Sequence, residues 1–189
     1  MVATVEVQEG NGSPVTWTTI TSARLCTSDT YNPGTNYPIP IPTSGFNYSY
    51  WKHIRLYFSG TFTQISNIRF YSDGSIDWTF GTNGELRRGN RDTAPHGCPE
   101  ANYQQATGTE GTTGYAIEDA SNGHSYYNGQ TTPTANVAND TSASPALIDD
   151  NTYTAAGGSY AVVLQVKVDT DATQGQQSAE TLTFLYDEI

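Results

Sequence analysis

The chain reads as an all-β protein, an antiparallel β-sandwich of Ig-like or jelly-roll type with long polar loops. Three observations predict this class. Apolar residues recur with period two in several segments, and no segment sustains a helical period. Thr, Ser, Asn, Gln and 18 glycines make up for a hydrophobic share of 35% and a charged share of 14%, a strand-and-loop composition. Aromatic residues reach 12%, which sets the chain apart from a disordered acidic tail. A length of 189 residues suits one domain, 1–189, able to bury a core.

The elements follow in chain order. Val2 to Val7 alternates like a strand, and no secretory leader precedes it, so synthesis and assembly in a cytoplasm is the expectation. Residues 29–45 contain Tyr37-Pro-Ile-Pro-Ile-Pro-Thr. Proline at every second position withholds ladder donors and favours extended chain. This segment is either a loop crossing the domain or an arm laid on a neighbour, with Tyr37, Ile39 and Ile41 as its contact residues.

The best-patterned region is residues 50–80. Ile54, Leu56 and Phe58 point one way, and His53, Arg55 and Tyr57 the other. Ile68 and Phe70 continue the inner face, and Arg69 and Tyr71 the outer. His53, Arg55, Tyr57, Arg69 and Tyr71 would then form one outward patch rich in interface residue types, unless a loop or second layer covers it. Ser72-Asp73-Gly74 reads as a three-residue hairpin loop with Gly74 left-handed. That register pairs Phe70 with Ile76, Ile68 with Trp78 and Arg69 with Asp77, and keeps the apolar residues on one face.

Residues 89–158 are a loop-rich insertion in which short strands are expected at 115–118 and 124–127. A last hairpin is expected from Tyr160, Val162, Leu164, Val166 and Val168 on one strand and Leu182, Phe184 and Tyr186 on the other.

Charge and motifs narrow the function classes. The net charge is −11 with only 8 Lys and Arg, which argues against nucleic-acid and anionic-membrane partners. No Lys or Arg lies between Asp92 and Val166, so an acidic face is expected there, either solvated or a docking face for a basic partner or for cations. Cys26 and Cys98 allow one disulfide or two free thiols. His96-Gly-Cys98 with Cys26 and His124 falls short of paired zinc-ligand spacing, so no metal is expected. Acidic loops such as Asp169-Thr-Asp171, Asp149-Asp150 and Asp73 to Asp77 lack EF-hand spacing; they are read as chain-turning carboxylates, with calcium as the alternative. No nucleophile elbow, phosphate loop or zinc-protease motif is present, so no catalytic residue, cofactor or enzymatic activity is expected. Three tryptophans and 13 tyrosines could stack on sugars or anchor a protein interface.

Residues 162–175, Val-Val-Leu-Gln-Val-Lys-Val-Asp-Thr-Asp-Ala-Thr-Gln-Gly, followed by Glu180 to Ile189, resemble the C-terminal hairpins of β-sandwich virion proteins of tailed phages. Trp51-Lys-His-Ile-Arg-Leu-Tyr-Phe and Ile68-Arg-Phe-Tyr-Ser-Asp-Gly share that character. The resemblance covers about a third of the chain and carries no site residues. It implies an accessory virion component, such as a capsid decoration or cement protein on the outer shell, bound to the major capsid protein or to copies of itself. A neck or tail part is the other position it allows. A carbohydrate-binding module, with or without calcium, is the alternative from outside that family.

Overall fold

The computed structural model describes residues 2–189. Its strands are β1 (Ala3–Asn11), β2 (Thr16–Thr19), β3 (Asn47–Tyr48), β4 (Lys52–Gly60), β5 (Ile65–Tyr71), β6 (Glu85–Gly89), β7 (Gly108–Thr109), β8 (Thr113–Gly114), β9 (Thr134–Asn136), β10 (Ala146–Asp149), β11 (Gly157–Gly158), β12 (Val162–Val168) and β13 (Thr183–Glu188). Single turns of 3-10 helix occur at Glu100–Asn102 and Val137–Asn139. The fold is all-β and antiparallel, in sandwich-like layers. The large sheet runs β2-β1-β4-β12-β6-β9, with β11 added to β4 and β3 to β12; a smaller sheet runs β10-β5-β13, and β7 and β8 form a hairpin.

The period-two pattern decides which face of the large sheet each side chain joins. Ile54, Val162, Leu164, Val166 and Leu86 point inward and pack with Phe70, Ala146 and Ile148 of the small sheet. Leu56 and Phe58 meet Ile65 and Ile68 in an adjoining cluster. The opposite face of the large sheet is also covered. Val163 and the neighbouring Trp51 pack there under Cys98, Ala106, Ile117 and Tyr127, all from the loop-rich segment. The sheet is thus a central layer between a second sheet and a layer of turns. This explains why β12 is buried along almost its whole length, Gln165 included.

Polar anchors tie that layer of turns down. The Gln165 amide donates to the carbonyls of Ser49 and Tyr115, and its oxygen accepts from Arg87 and from the Ile117 N–H. Every polar atom of this buried side chain is therefore satisfied. Lys52, on the same face as Ile54, forms an ion pair with Glu9 at 2.8 Å, with both side chains fully buried. It also donates to the Thr30 carbonyl, which closes the segment after Cys26 over the sheet end.

Several local expectations are corrected. The loop at residues 72–74 is not a hairpin turn: Phe70 lies opposite Ala146 and Phe184, not Ile76, and Arg69 faces Asp187 at 3.6 Å, not Asp77. β10 and β13 occupy both edges of β5, and residues 75–81 pair with no strand among the described residues. Gly74 does adopt a left-handed φ of 90°. The last two strands are not a hairpin either. β12 belongs to the large sheet and β13 to the small one, and residues 169–182 cross between them. Residues 115–118 and 124–127 form turns rather than strands, where the chain follows side-chain anchors instead of a ladder. Cys26 and Cys98 are both free and buried.

Candidate functional site

The chemistry-bearing side chains of this chain are found inside it. β4 places His53 on the face opposite Ile54, under the layer of turns, where it is 2% exposed. His124 enters that space from the turn after Gly123, whose N–H donates to the Asp119 carbonyl. Cys98 is brought in by a two-way main-chain bridge with Ala161, its N–H donating to the Ala161 carbonyl and its carbonyl accepting from the Ala161 N–H. A ring nitrogen from each histidine and the Cys98 sulfur all lie within 4.8 Å of one another.

The distances within the group are short. Nε2 of His124 lies 3.3 Å from Nε2 of His53 and 4.0 Å from Sγ of Cys98. Nε2 of His53 lies 3.2 Å from the Gln104 carbonyl oxygen, which also accepts the Trp51 indole N–H at 2.8 Å. Aromatic rings wall the group: Tyr103 stands 4.5 Å from His53, and Trp51 and Tyr127 stand 5.5 Å and 5.0 Å from His124, centroid to centroid.

Burial sets the protonation states. It lowers His53 to about 3, opposed in part by the Gln104 carbonyl. It lowers His124 to about 2, with the neighbouring His53 acting the same way. Both rings are neutral at pH 7, the form that ligates metals. Burial pushes the Cys98 thiol well up, so the site holds a thiol rather than the thiolate of an activated cysteine nucleophile. The chemistry this group favours is soft-donor ligation or neutral hydrogen bonding.

The residues singled out from sequence fall in several places. Arg55 is buried, stacked on Trp17 at 3.7 Å and paired with Glu100. Tyr57 is half-buried between Glu6 and Gly158. Arg69 and Tyr71 lie in β5, in the other sheet. The expected outward patch therefore does not form: His53 and Arg55 are covered, and the remaining three are divided between two sheets. Tyr37 is 38% exposed, while Ile39 packs against the core. Ile41 is half-buried. The Pro-rich segment is pinned to its own chain by Thr27, whose N–H donates to the Tyr37 carbonyl and whose hydroxyl reaches the Tyr37 and Pro38 carbonyls.

The expected acidic face is largely consumed by pairing. Glu100, Glu118 and Asp140 pair with Arg55, Arg87 and Arg88, and Asp149 accepts from the Tyr153 hydroxyl and the Tyr160 N–H. Asp169 and Asp171 are likewise engaged, accepting from Asn83 and Thr82 across the loop and held below the usual carboxylate range by those bonds.

Besides Val2, Leu185 and Ile189, the exposed large apolar side chains are aromatic. Phe46 is 37% and Tyr115 40% exposed. Phe46 lies 6.5 Å from Tyr48, with the Lys167 ammonium 4.1 Å over its ring and the Arg87 guanidinium 4.7 Å over Tyr48. Gln165 holds the Ser49 and Tyr115 carbonyls together. Around β7 and β8, a shallow open concavity is lined by Asp29, Tyr50, Gln105 and Glu110.

Sequence reasoning weighed Cys98 and His124 with Cys26 and His96, and missed His53. Cys26 donates to the Ser28 carbonyl in its own loop, and His96 offers its carbonyl to the Tyr127 hydroxyl. The alternation of β4 placed His53 away from the core of the sandwich, and only the covering turns make that face an interior. No protein-family profile, curated protein or solved structure matches the chain.

Proposed function

We propose that the protein is an accessory virion structural component of the capsid-decoration type, which binds the major capsid protein or further copies of itself on the outer shell. The observation that carries this reading is the division between inside and outside. Histidine and cysteine side chains and most cations are tied up in the interior or in ion pairs. The surface offers the partly exposed rings of Phe46 and Tyr115, with Lys167 over Phe46 and a half-buried Tyr48, backed by the buried Arg87, beside it. Aromatic and arginine side chains are the groups that anchor protein contacts. The double-covered large sheet supplies a rigid body to carry them. The resemblance of the C-terminal residues to phage virion proteins agrees with this role.

Quantitative mass spectrometry of density-purified particles from the source of the chain tests the reading. A copy number near that of the major shell protein is expected, with Phe46→Ser/Tyr115→Ser lowering occupancy while stability stays within about 0.5 kcal/mol, as for surface changes in general. A few copies per particle would move the protein to a neck or tail position. Absence from particles overturns the reading. The shallow concavity with Asp29, Tyr50 and Glu110 favours a second one, glycan binding. In that case a glycan array is positive and the Glu110→Ala variant, changed at an exposed lining residue, loses the signal.

A further inference from the structure

We infer that His53, Cys98 and His124 form a binding site for one borderline-soft divalent transition-metal ion of the Zn2+ or Cu2+ class, with the main-chain carbonyl of Gln104 as fourth ligand. The donor set matches that class: two imidazoles and a thiolate suit zinc or copper, and a carbonyl oxygen completes four-coordination in either.

Geometry supports the site. Around a tetrahedral ion with metal–nitrogen bonds of about 2.0–2.1 Å, two ligating nitrogens stand about 3.3 Å apart, and nitrogen and thiolate sulfur about 3.6 Å apart. The two histidine nitrogens are separated by 3.3 Å, and His124 Nε2 and Cys98 Sγ by 4.0 Å. The Gln104 oxygen lies 3.2 Å from His53 Nε2, close to the spacing of two ligand atoms on one ion. A sulfur displacement of about 1 Å, within reach of a Cys side-chain rotation, brings the widest separation to metal-ligand spacing.

Proton placement is compatible with a bound ion. A neutral imidazole carries one N–H. Nδ1 of His124 faces the Tyr126 main-chain N–H at 3.3 Å and so acts as acceptor, which puts the His124 proton on Nε2, aimed at His53 Nε2. His53 must then present a lone pair there, and that lone pair also faces the Gln104 carbonyl oxygen. The opposite tautomer of His53 satisfies Gln104 and sets two N–H groups against each other at 3.3 Å. No pair of neutral tautomers satisfies all three contacts. A cation converts the facing lone pairs of His53, His124 and Gln104 into ligands. It places the His124 proton on Nδ1, against the Tyr126 main-chain N–H at 3.3 Å, the same contact that the ion-free tautomer with His53 Nε2–H shared between Gln104 and His124 gives up.

Binding is balanced by one proton. The Cys98 S–H bond breaks, the proton leaves to solvent, the sulfur lone pair forms the metal bond, and the site retains one net positive charge. The ligands lie at positions 53, 98, 104 and 124, so the ion would clamp the layer of turns to β4 and help fold the loop-rich segment.

The test uses the full chain without an affinity tag. Metal content is measured by plasma mass spectrometry on protein as purified. Protein is then unfolded in denaturant with chelator and refolded with Zn2+, Co2+ or Cu2+. The expected result is about one equivalent retained through gel filtration, with a raised melting temperature; whether zinc or copper is found as purified identifies the resident ion. The Co2+ form should show thiolate-to-metal charge-transfer absorption saturating at one equivalent. Cys26→Ala should keep that absorption, and Cys98→Ser and His124→Gln should lose it. If the cysteine and histidine variants do not fold, the wild-type and Cys26→Ala titrations still decide, since the absorption requires a cysteine ligand. Native, well-folded wild type that retains less than a tenth of an equivalent of any of the three ions overturns the inference. So does metal retention that is unchanged in folded Cys98→Ser and His124→Gln.

Discussion

Replacing Lys52 by methionine should be among the most damaging single changes available in this fold. The Lys52 ammonium is fully buried, 2.8 Å from an equally buried Glu9 carboxylate. That carboxylate has little other support: Asn11 donates to Oε1 at 3.0 Å, and Oε2 has no partner among the described residues. Methionine fills most of the lysine stem's volume, so the loss is electrostatic rather than a cavity. Removing one member of a buried pair costs about 3–5 kcal/mol because the other charge stays behind. Loss of the donor to the Thr30 carbonyl adds roughly 1 kcal/mol and frees the segment that follows Cys26. Against a total stability of about 5–15 kcal/mol, this is enough to leave the variant marginal. The double variant Glu9→Leu/Lys52→Met removes both charges and should recover most of the loss, giving a coupling energy of about 2–4 kcal/mol in a double-mutant cycle. Urea unfolding followed by tryptophan fluorescence and circular dichroism reads all four corners of that cycle. A Lys52→Met midpoint equivalent to less than 1 kcal/mol, or a double variant no better than the single, would refute the claim that Glu9 is stranded without its partner.

Three further outcomes follow from the structure. His53 and His124 have folded values of about 3 and about 2, below the unfolded value near 6.5; stability is therefore full above pH 6.5 and falls as the unfolded chain takes up protons below it. The slope from these two rings is about 2.7 kcal/mol per pH unit once the pH is well under 6. Burial lowers His96 too and steepens the same trend, whereas the loop carboxylates of Asp92, Asp119, Asp169 and Asp171 act only at lower pH. Urea midpoints that stay flat from pH 7 to 4.5 would contradict the neutral, buried assignment. Gly97→Ala places a Cβ 2.5 Å from the Ile148 carbonyl oxygen and 2.6 Å from its Cγ2; overpacking of this kind costs about 1–3 kcal/mol, visible as a melting temperature lowered by several degrees. Gln165→Leu strips partners from Arg87 and from the Ser49, Tyr115 and Ile117 main chain, and is expected to cost at least about 2 kcal/mol in the same melts.

The legible part of the fold is the part in which neighbouring residues carry the information. The alternation of Ile54, Leu56 and Phe58, and of Val162 through Val168, assigned strand character and inner face correctly because each strand's burial is written in its own period of two. Gly74 was legible for the same reason, its left-handed turn being a local requirement. Which strands pair was not legible. Phe70 meets Phe184 and Ala146, residues distant in sequence, in place of the adjacent Ile76 that a hairpin would have used.

The candidate metal group divides along the same line. Neighbouring residues are enough to read the strand class, the inner faces, the scarcity of cations and a pool of soft donors, two cysteines and three histidines, without saying which of them act together. The tertiary structure decided that His53, Cys98 and His124 meet. His53 comes from a sheet face that alternation alone marks as outer. That face becomes an interior only when residues 98–127, anchored by Gln165 and the Cys98–Ala161 bridge, fold back across it. A side chain's direction from its strand is a local property of the backbone. Whether that direction leads to water or to another layer depends on chain-distant packing, which no window of neighbouring residues contains.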